Sequence, residues 1–526
     1  MRNKTNYTPS SVSIVRELPQ SGKSIVSLYT TTITTTTAVK SDEEDWMPIR
    51  IHVSSDELDR AMRRCSSGVT GSSHRHSPSC RGGNVLTPQK RDILLNELLP
   101  AAIALHSERL LVVRSRFNSV IIQFISEMCY TYVELPAAYE SVGVVQADFV
   151  LFVLAETVAP FVVICSEADD GRPTSAAMNF APADIVNTRL FTRIIAHNLA
   201  HALGFDVRRI SGMGMTARSG ITTTTAEERV MFTVNSHSTV EAAKWHYGCS
   251  SLREMRLDHN MAVGVSSHWD GYIAKDELMS PYTTGEPSGM FYTILTLSLF
   301  EDMKFYRANY IMAETMRWGN HSGCGFLSGD CVEKDEGKHS DVFCDSSSVA
   351  TRTTTLQCTS DRFALGHCTR SLSSQPISVF SAEHREEKRE CAVVKATAAT
   401  VCENGSEAHM PGSRIGNISR CLKGDALRLR DVSTIDIHSI IGDICANVKC
   451  EGGKVSVQYK GDDHWYECKE GSSISPSVTS AFSSGRIVCP PYSEVCMDLP
   501  IQPPPVEAVV MEEVYNFTSS INLINS

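Results

Sequence analysis

Eighteen cysteines, spread from Cys65 to Cys496, constrain this chain more than any other feature. They form no repeated C-x-x-C pairs, so they read as a disulfide framework rather than thiolate metal sites, and such frameworks persist in oxidising compartments. Six N-x-S/T sequons, at Asn3, Asn6, Asn320, Asn404, Asn417 and Asn516, agree with a secretory route. A length of 526 residues, 42% of them hydrophobic, suffices for two to four domains with a large core. The formal net charge of -11, without basic runs, argues against nucleic acid as the partner.

The targeting signals point the other way. Residues 1–44 are polar and Thr-rich, and are expected to be disordered; they hold no apolar run of the signal-peptide kind. The apolar stretch Val142 to Cys165 is broken by Gln146, Asp148, Glu156 and Pro160 and reads as buried strand, not as a membrane span. Val514 to Ser526 lacks the hydrophobic tail of a lipid-anchor signal. Oxidising chemistry without an export signal suggests a truncated or divergent gene copy.

One stretch carries chemistry. Ile194-Ile195-Ala196-His197-Asn198-Leu199-Ala200-His201-Ala202-Leu203-Gly204-Phe205 is apolar except for two histidines and an asparagine. A helix from near Ile185 to Leu203, stopped at Gly204, is the natural reading. At four-residue spacing both imidazoles project from one face and can share a cation. This is the half-site of the H-E-x-x-H zinc proteases, with Asn198 where the glutamate belongs. The bland alternative is a pair of satisfied polar residues in an amphipathic helix, and 17 histidines produce such pairs by chance.

The rest of the chain supplies a scaffold. Asp45 to Val53 alternates like a strand, and Leu86-Thr87-Pro88 opens a helix running to about Arg109. Ala147 to Val153 reads as a central strand. Asp169 to Pro173 reads as a turn, and Ser175 to Phe180 as a second strand, taken as the edge along which peptides would align.

The flanks of the histidine helix, Thr192 to His197 and Ala200 to Phe205, resemble the active helix of the leishmanolysin family of cell-surface zinc metalloendopeptidases. The likeness continues through Ser267-His268-Trp269, Asp276-Glu277-Leu278-Met279, Tyr292 to Phe300, Glu301 to Tyr306, and Trp318 to Leu327. It resumes at Cys445 to Cys450 and Cys489 to Cys496, so it covers about residues 45–500.

This resemblance implies an α+β protein in three parts. They are a metzincin-like N-terminal domain over 45–206, a central domain over 207–329, and a disulfide-rich C-terminal domain over 330–526. It implies one zinc ion on His197, His201 and His268, with Met279 in the turn beneath the metal. His237, His246 and His259 remain alternatives for the third ligand. Extended peptides or proteins are the implied partners, and the cell surface or exterior the implied location. The implied cysteine pairs are 65–80, 129–165, 249–324, 331–391, 344–368, 358–421, 402–445, 450–496 and 468–489. Family members also carry an upstream cysteine that blocks the zinc, whereas none precedes Cys65 here.

Asn198 is the one departure that falls on the chemistry. An amide cannot accept a proton near neutral pH, so proteolysis is expected to be weak or absent while the metal site survives. A non-hydrolysing protein acting in adhesion or peptide binding is the alternative. Asp276 and Glu277 are the other carboxylates that could serve as a base.

Overall fold

The computed structural model of the protein describes residues 46–66, 80, 82–115, 118–155, 160–222, 228–258, 267–282, 286–328, 342–344, 355–369, 392–430 and 441–496. The expected disorder of residues 1–44 and the alternative ligand His259 lie outside these residues.

The first strands show where alternation misleads. Asp45 to Val53 is not one strand but two, β1 (Trp46–Pro48) and β2 (Ile51–Ser54), in different sheets. Pro48 has no N–H to continue a ladder. The chain crosses over there, with Ile49 N donating to Leu110 O and Arg50 N to the Asp148 carboxylate. The Arg50 guanidinium also clasps Asp148 through two nitrogens, at 2.9 and 2.8 Å. β1 pairs antiparallel with β3 (Leu110–Val113).

Thr87 caps the long helix by accepting from Lys90 N, and Pro88 sits at its start, where a missing N–H costs nothing. The helix runs through Pro88–Ile93, a π-turn at Leu94–Leu98, and Leu99–Ser107. A short ribbon of β4 (Ser119–Val120) and β5 (Val144–Val145) follows.

The sheet that carries the site contains β2, β6 (Phe149–Leu154), β7 (Phe161–Glu167) and β8 (Pro173–Asn179), in the order β2-β6-β8-β7. β2, β6 and β8 are parallel; β7 runs antiparallel to β8. Every residue of β6 is buried, as its unbroken apolar run requires of a strand covered on both faces. β8 is fully buried too, so the stretch expected at the edge is interior. Its small side chains, Ser175, Ala176 and Ala177, let neighbours approach closely on both sides. The edge on this side is β7, which the Asp169–Asp170 turn folds back beside β8, and β2 is the opposite edge.

One apolar core extends from Ile49 to Val393, so side chains from both sides of position 207 pack together. A smaller core, from Leu422 to Cys496, holds the C-terminal sheets. The larger of these orders Ser419–Leu422, Ile444–Glu451, Lys454–Gln458 and Tyr466–Glu467, all antiparallel. Eight disulfides join 65–80, 129–165, 249–324, 344–368, 358–421, 402–445, 450–496 and 468–489, as the resemblance implied. The ninth expected pair, Cys331 with Cys391, lies outside the described residues. No helix among the described residues is long and apolar enough to cross a membrane.

Candidate metal centre

The site grows from the helix Arg189–Ala202. It starts four residues later than expected, because Thr188 is a better cap than anything near Ile185: its hydroxyl accepts from Phe191 N. The inner face buries Phe191, Ile195, Ala196, Leu199 and Ala200, and with them His197, while Asn198 and His201 are half-buried on the open side. Arg193 is also buried, and a buried guanidinium needs a partner. Both its terminal nitrogens lie 2.6 Å from the Glu314 carboxylate, which also accepts from Tyr292 N.

At its other end the helix stops at Gly204, whose φ of +120° is left-handed territory that a side chain would resist. Phe205 N then bonds Ala200 O, and the Phe205 carbonyl turns back over the last helical turn. There it accepts from His201 Nδ1 at 2.7 Å. His197 Nδ1 donates to Leu278 O, also at 2.7 Å. Only N–H can face a carbonyl, so both rings carry their proton on Nδ1 and a lone pair on Nε2.

His268 enters from a distant segment, 67 residues beyond His201. Its neighbours fix it: Ser267 Oγ accepts from Val207 N, and Trp269 is buried edge-on against Phe205. Trp269 N donates to Met279 O, and Met279 is fully buried in the turn that offers Leu278 O to His197.

The three Nε2 atoms form a triangle with sides of 3.1, 3.2 and 3.2 Å. Two of them bring lone pairs, so these contacts cannot be satisfied by hydrogen bonds alone. A tetrahedral ion about 2.0–2.1 Å from each nitrogen would set them about 3.3–3.4 Å apart, so the donor set fits zinc closely. Burial lowers the pKa of all three rings, His268 to about 3, and the neighbouring imidazoles add to this at His197 and His268. Neutral rings are the ligating form.

The other histidines stand elsewhere. His246 is buried with Nε2 2.9 Å from Trp318 O, and His237 is exposed at the start of its helix. The alternative carboxylates are committed. Glu277 accepts from Met279 N and from Thr293 N and Oγ1, and burial pushes its pKa up to about 7. Asp276 accepts from Lys275 at 2.8 Å and from Ser360 at 2.6 Å. A further convergence of Cys358, Cys421 and Asp443 offers no thiolate, because the two cysteines are bonded to each other.

Two features escaped the sequence reading. Tyr282 sets its ring edge-on to His197, centroids 5.1 Å apart, with its phenol beside the Asn198 side chain. Burial pushes that phenol's pKa up, and the Asn198 hydrogen bond works against the shift. Its only sequence signal was its place three residues after Met279. The second is a polar layer behind the helix, where His106 Nε2–H donates to Ala196 O at 2.9 Å and Tyr292 O–H to His106 Nδ1 at 3.1 Å. A charge at Arg193, inside an apolar helix, was the available hint.

The chain as a whole is similar to known proteins of one family. The leishmanolysin family, peptidase M8, matches residues 1–502. The chain is 30% identical to leishmanolysin of Leishmania major over 483 residues, covering 86% of this chain and 77% of that one. It is 30% identical to the leishmanolysin homolog of Crithidia fasciculata, covering 86% and 71%. A leishmanolysin-like peptidase of Caenorhabditis elegans is 28% identical over 240 residues, 36% of each chain.

Proposed function

This chain belongs to the leishmanolysin metallopeptidase family, and from that premise we propose that it holds one zinc ion and binds extended peptides while hydrolysing them little. His197, His201 and His268 are the ligands in this proposal, with Met279 in the turn beneath them and the three-part domain division kept. The observation that carries it is the triangle of Nε2 atoms, two with their lone pairs fixed inward by carbonyls on Nδ1. When bound, zinc supplies Lewis acidity to a peptide carbonyl and to water.

What the chain's own residues add is positioning without a base. Asn198 occupies the place from which the family's glutamate takes and returns a proton. A neutral amide orients a ligand but does not move a proton, and a placed general base is worth roughly 10²–10⁴ in rate. Glu277 and Asp276 do not replace it, since their oxygens already accept from Met279, Thr293, Lys275 and Ser360. Extended peptides would align along β7, the strand at one end of the sheet. The eight disulfides favour an oxidising location such as the cell surface, where a binding or adhesive role needs no turnover.

The test is a pair of measurements on one protein. Zinc content should be about one per chain and should fall sharply in His268→Ala. Hydrolysis of unfolded casein should be slight, abolished by chelator, and raised roughly 10²–10⁴-fold in Asn198→Glu. Full activity in the unaltered chain would sink the impaired reading, and zinc unaffected by His268→Ala would sink the ligand assignment.

A further inference from the structure

We propose that Asn198 and Tyr282 make the open side of the three-histidine centre a receptor for carboxylate groups, with the C-terminus of a peptide as the ligand. The proposal rests on the zinc reading above and extends it to a ligand class. Its ground is the juxtaposition of two neutral, half-buried polar side chains at the face left open by the histidines: Tyr282 edge-on to His197 at 5.1 Å, and its phenol beside Asn198.

A glutamate at position 198 would present only acceptors and a negative charge, which repels an anion. Asn198 instead offers N–H donors, and Tyr282 adds an O–H. Three neutral imidazoles leave the positive charge of a bound cation uncompensated by the protein, so an anionic ligand is the natural complement. Of the carboxylates nearest by influence, Asp206 is committed elsewhere, accepting from Arg208 N and Arg209 N at the start of the next helix, and Asp184 reaches the site only as a charge acting on Tyr282. A peptide carboxylate brings its own charge and two acceptor oxygens, and hydrogen bonds to a charged group are the strong ones.

The experiment is calorimetric titration of the full chain, reconstituted with zinc and assayed for metal, using N-acetyl-dialanine with a free carboxylate and the same dipeptide as its amide. The acid should bind at least roughly 10-fold more tightly than the amide, the size of one charged hydrogen bond. Tyr282→Phe should erase roughly 10-fold of the acid's affinity and leave the amide's unchanged, with zinc content intact as proof of a folded site. Asn198→Glu should narrow the preference from the other side. Equal affinity for acid and amide in zinc-loaded protein overturns the inference, as does a preference left undiminished by Tyr282→Phe or by removal of the metal. A chain that takes up no zinc overturns the metal reading itself and this inference with it, and metal analysis tells the two failures apart.

Discussion

Residues 46–328 and residues 355–496 solve the problem of stability differently. The first region buries its structure in oil: Phe149, Phe152, Phe205, Trp269, Phe300 and Trp318 are all buried to within 2% of their surface, and three disulfides lie within it. The second has a small core and four disulfides within it, with a fifth, Cys344–Cys368, entering it from just outside. A chemical centre needs side chains held to fractions of an ångström, and close packing with second-layer hydrogen bonds does that. Sulfur bridges limit the unfolded chain instead, and suit sheets whose strands carry little apolar surface.

The regions meet where the site helix begins. Glu403, from the bridged region, accepts from Arg189 N at 2.9 and 3.1 Å, and the Arg189 guanidinium stacks on Phe363 at 3.7 Å. Glu494 binds Arg317 across the boundary and Arg362 within its own region.

Reduction should separate the two regions most sharply. Each native disulfide is worth about 2–5 kcal/mol, so dithiothreitol should expose 355–496 to limited proteolysis while fragments spanning 189–328 persist. Simultaneous loss of both would show that the packed region depends on the bridges.

Next in size is Glu314→Ala, which removes the carboxylate that neutralises the buried Arg193 guanidinium and should cost about 3–5 kcal/mol. In calorimetry this should lower the transition of the packed region alone. A matching drop in the bridged region would merge the two into one cooperative unit.

Acid should act on the same side. Burial holds His106 down to about 3 and His246 to about 4, against a usual value near 6.5. The unfolded chain therefore binds more protons, so the stability these rings lend is full above about pH 6.5 and is lost as pH falls towards 4 and 3. The packed region's melting temperature should fall over that window, less so in His246→Gln. An unchanged midpoint would mean that neither ring is buried neutral.

Smallest is Glu403→Ala, which removes a carboxylate from a helix N-terminus and should cost about 0.5–2 kcal/mol. Its value lies in the direction: a change made in the bridged region should be read as fraying of the site helix by hydrogen exchange.

Local patterns were legible in advance, and spatial order was not. The His197–His201 spacing is a statement about neighbouring turns of one helix, so the sequence alone could supply it. His268 and the cysteine pairs came through resemblance, since 67 residues of chain leave a third ligand's place open. Ser175 to Phe180 was recognisable as strand, but a strand covered on both faces carries no mark of its position in the sheet. Pro48 ends a ladder by its missing N–H, yet the regular alternation on either side of it conceals the break. Tyr282 had no periodicity to announce it; only the fold brings it against His197.

The turn at Gly204 reaches further than chain reversal. By presenting the Phe205 carbonyl to His201, a backbone angle decides on which nitrogen of an imidazole the proton resides. The tautomer is thus set by the fold itself, and in the proposed zinc centre metal entry would not wait for a proton to migrate around the ring. If the proposed zinc site holds, a residue with no side chain acts on the rate at which it loads, and Gly204→Ala should slow zinc uptake in stopped-flow even where the final occupancy is unchanged.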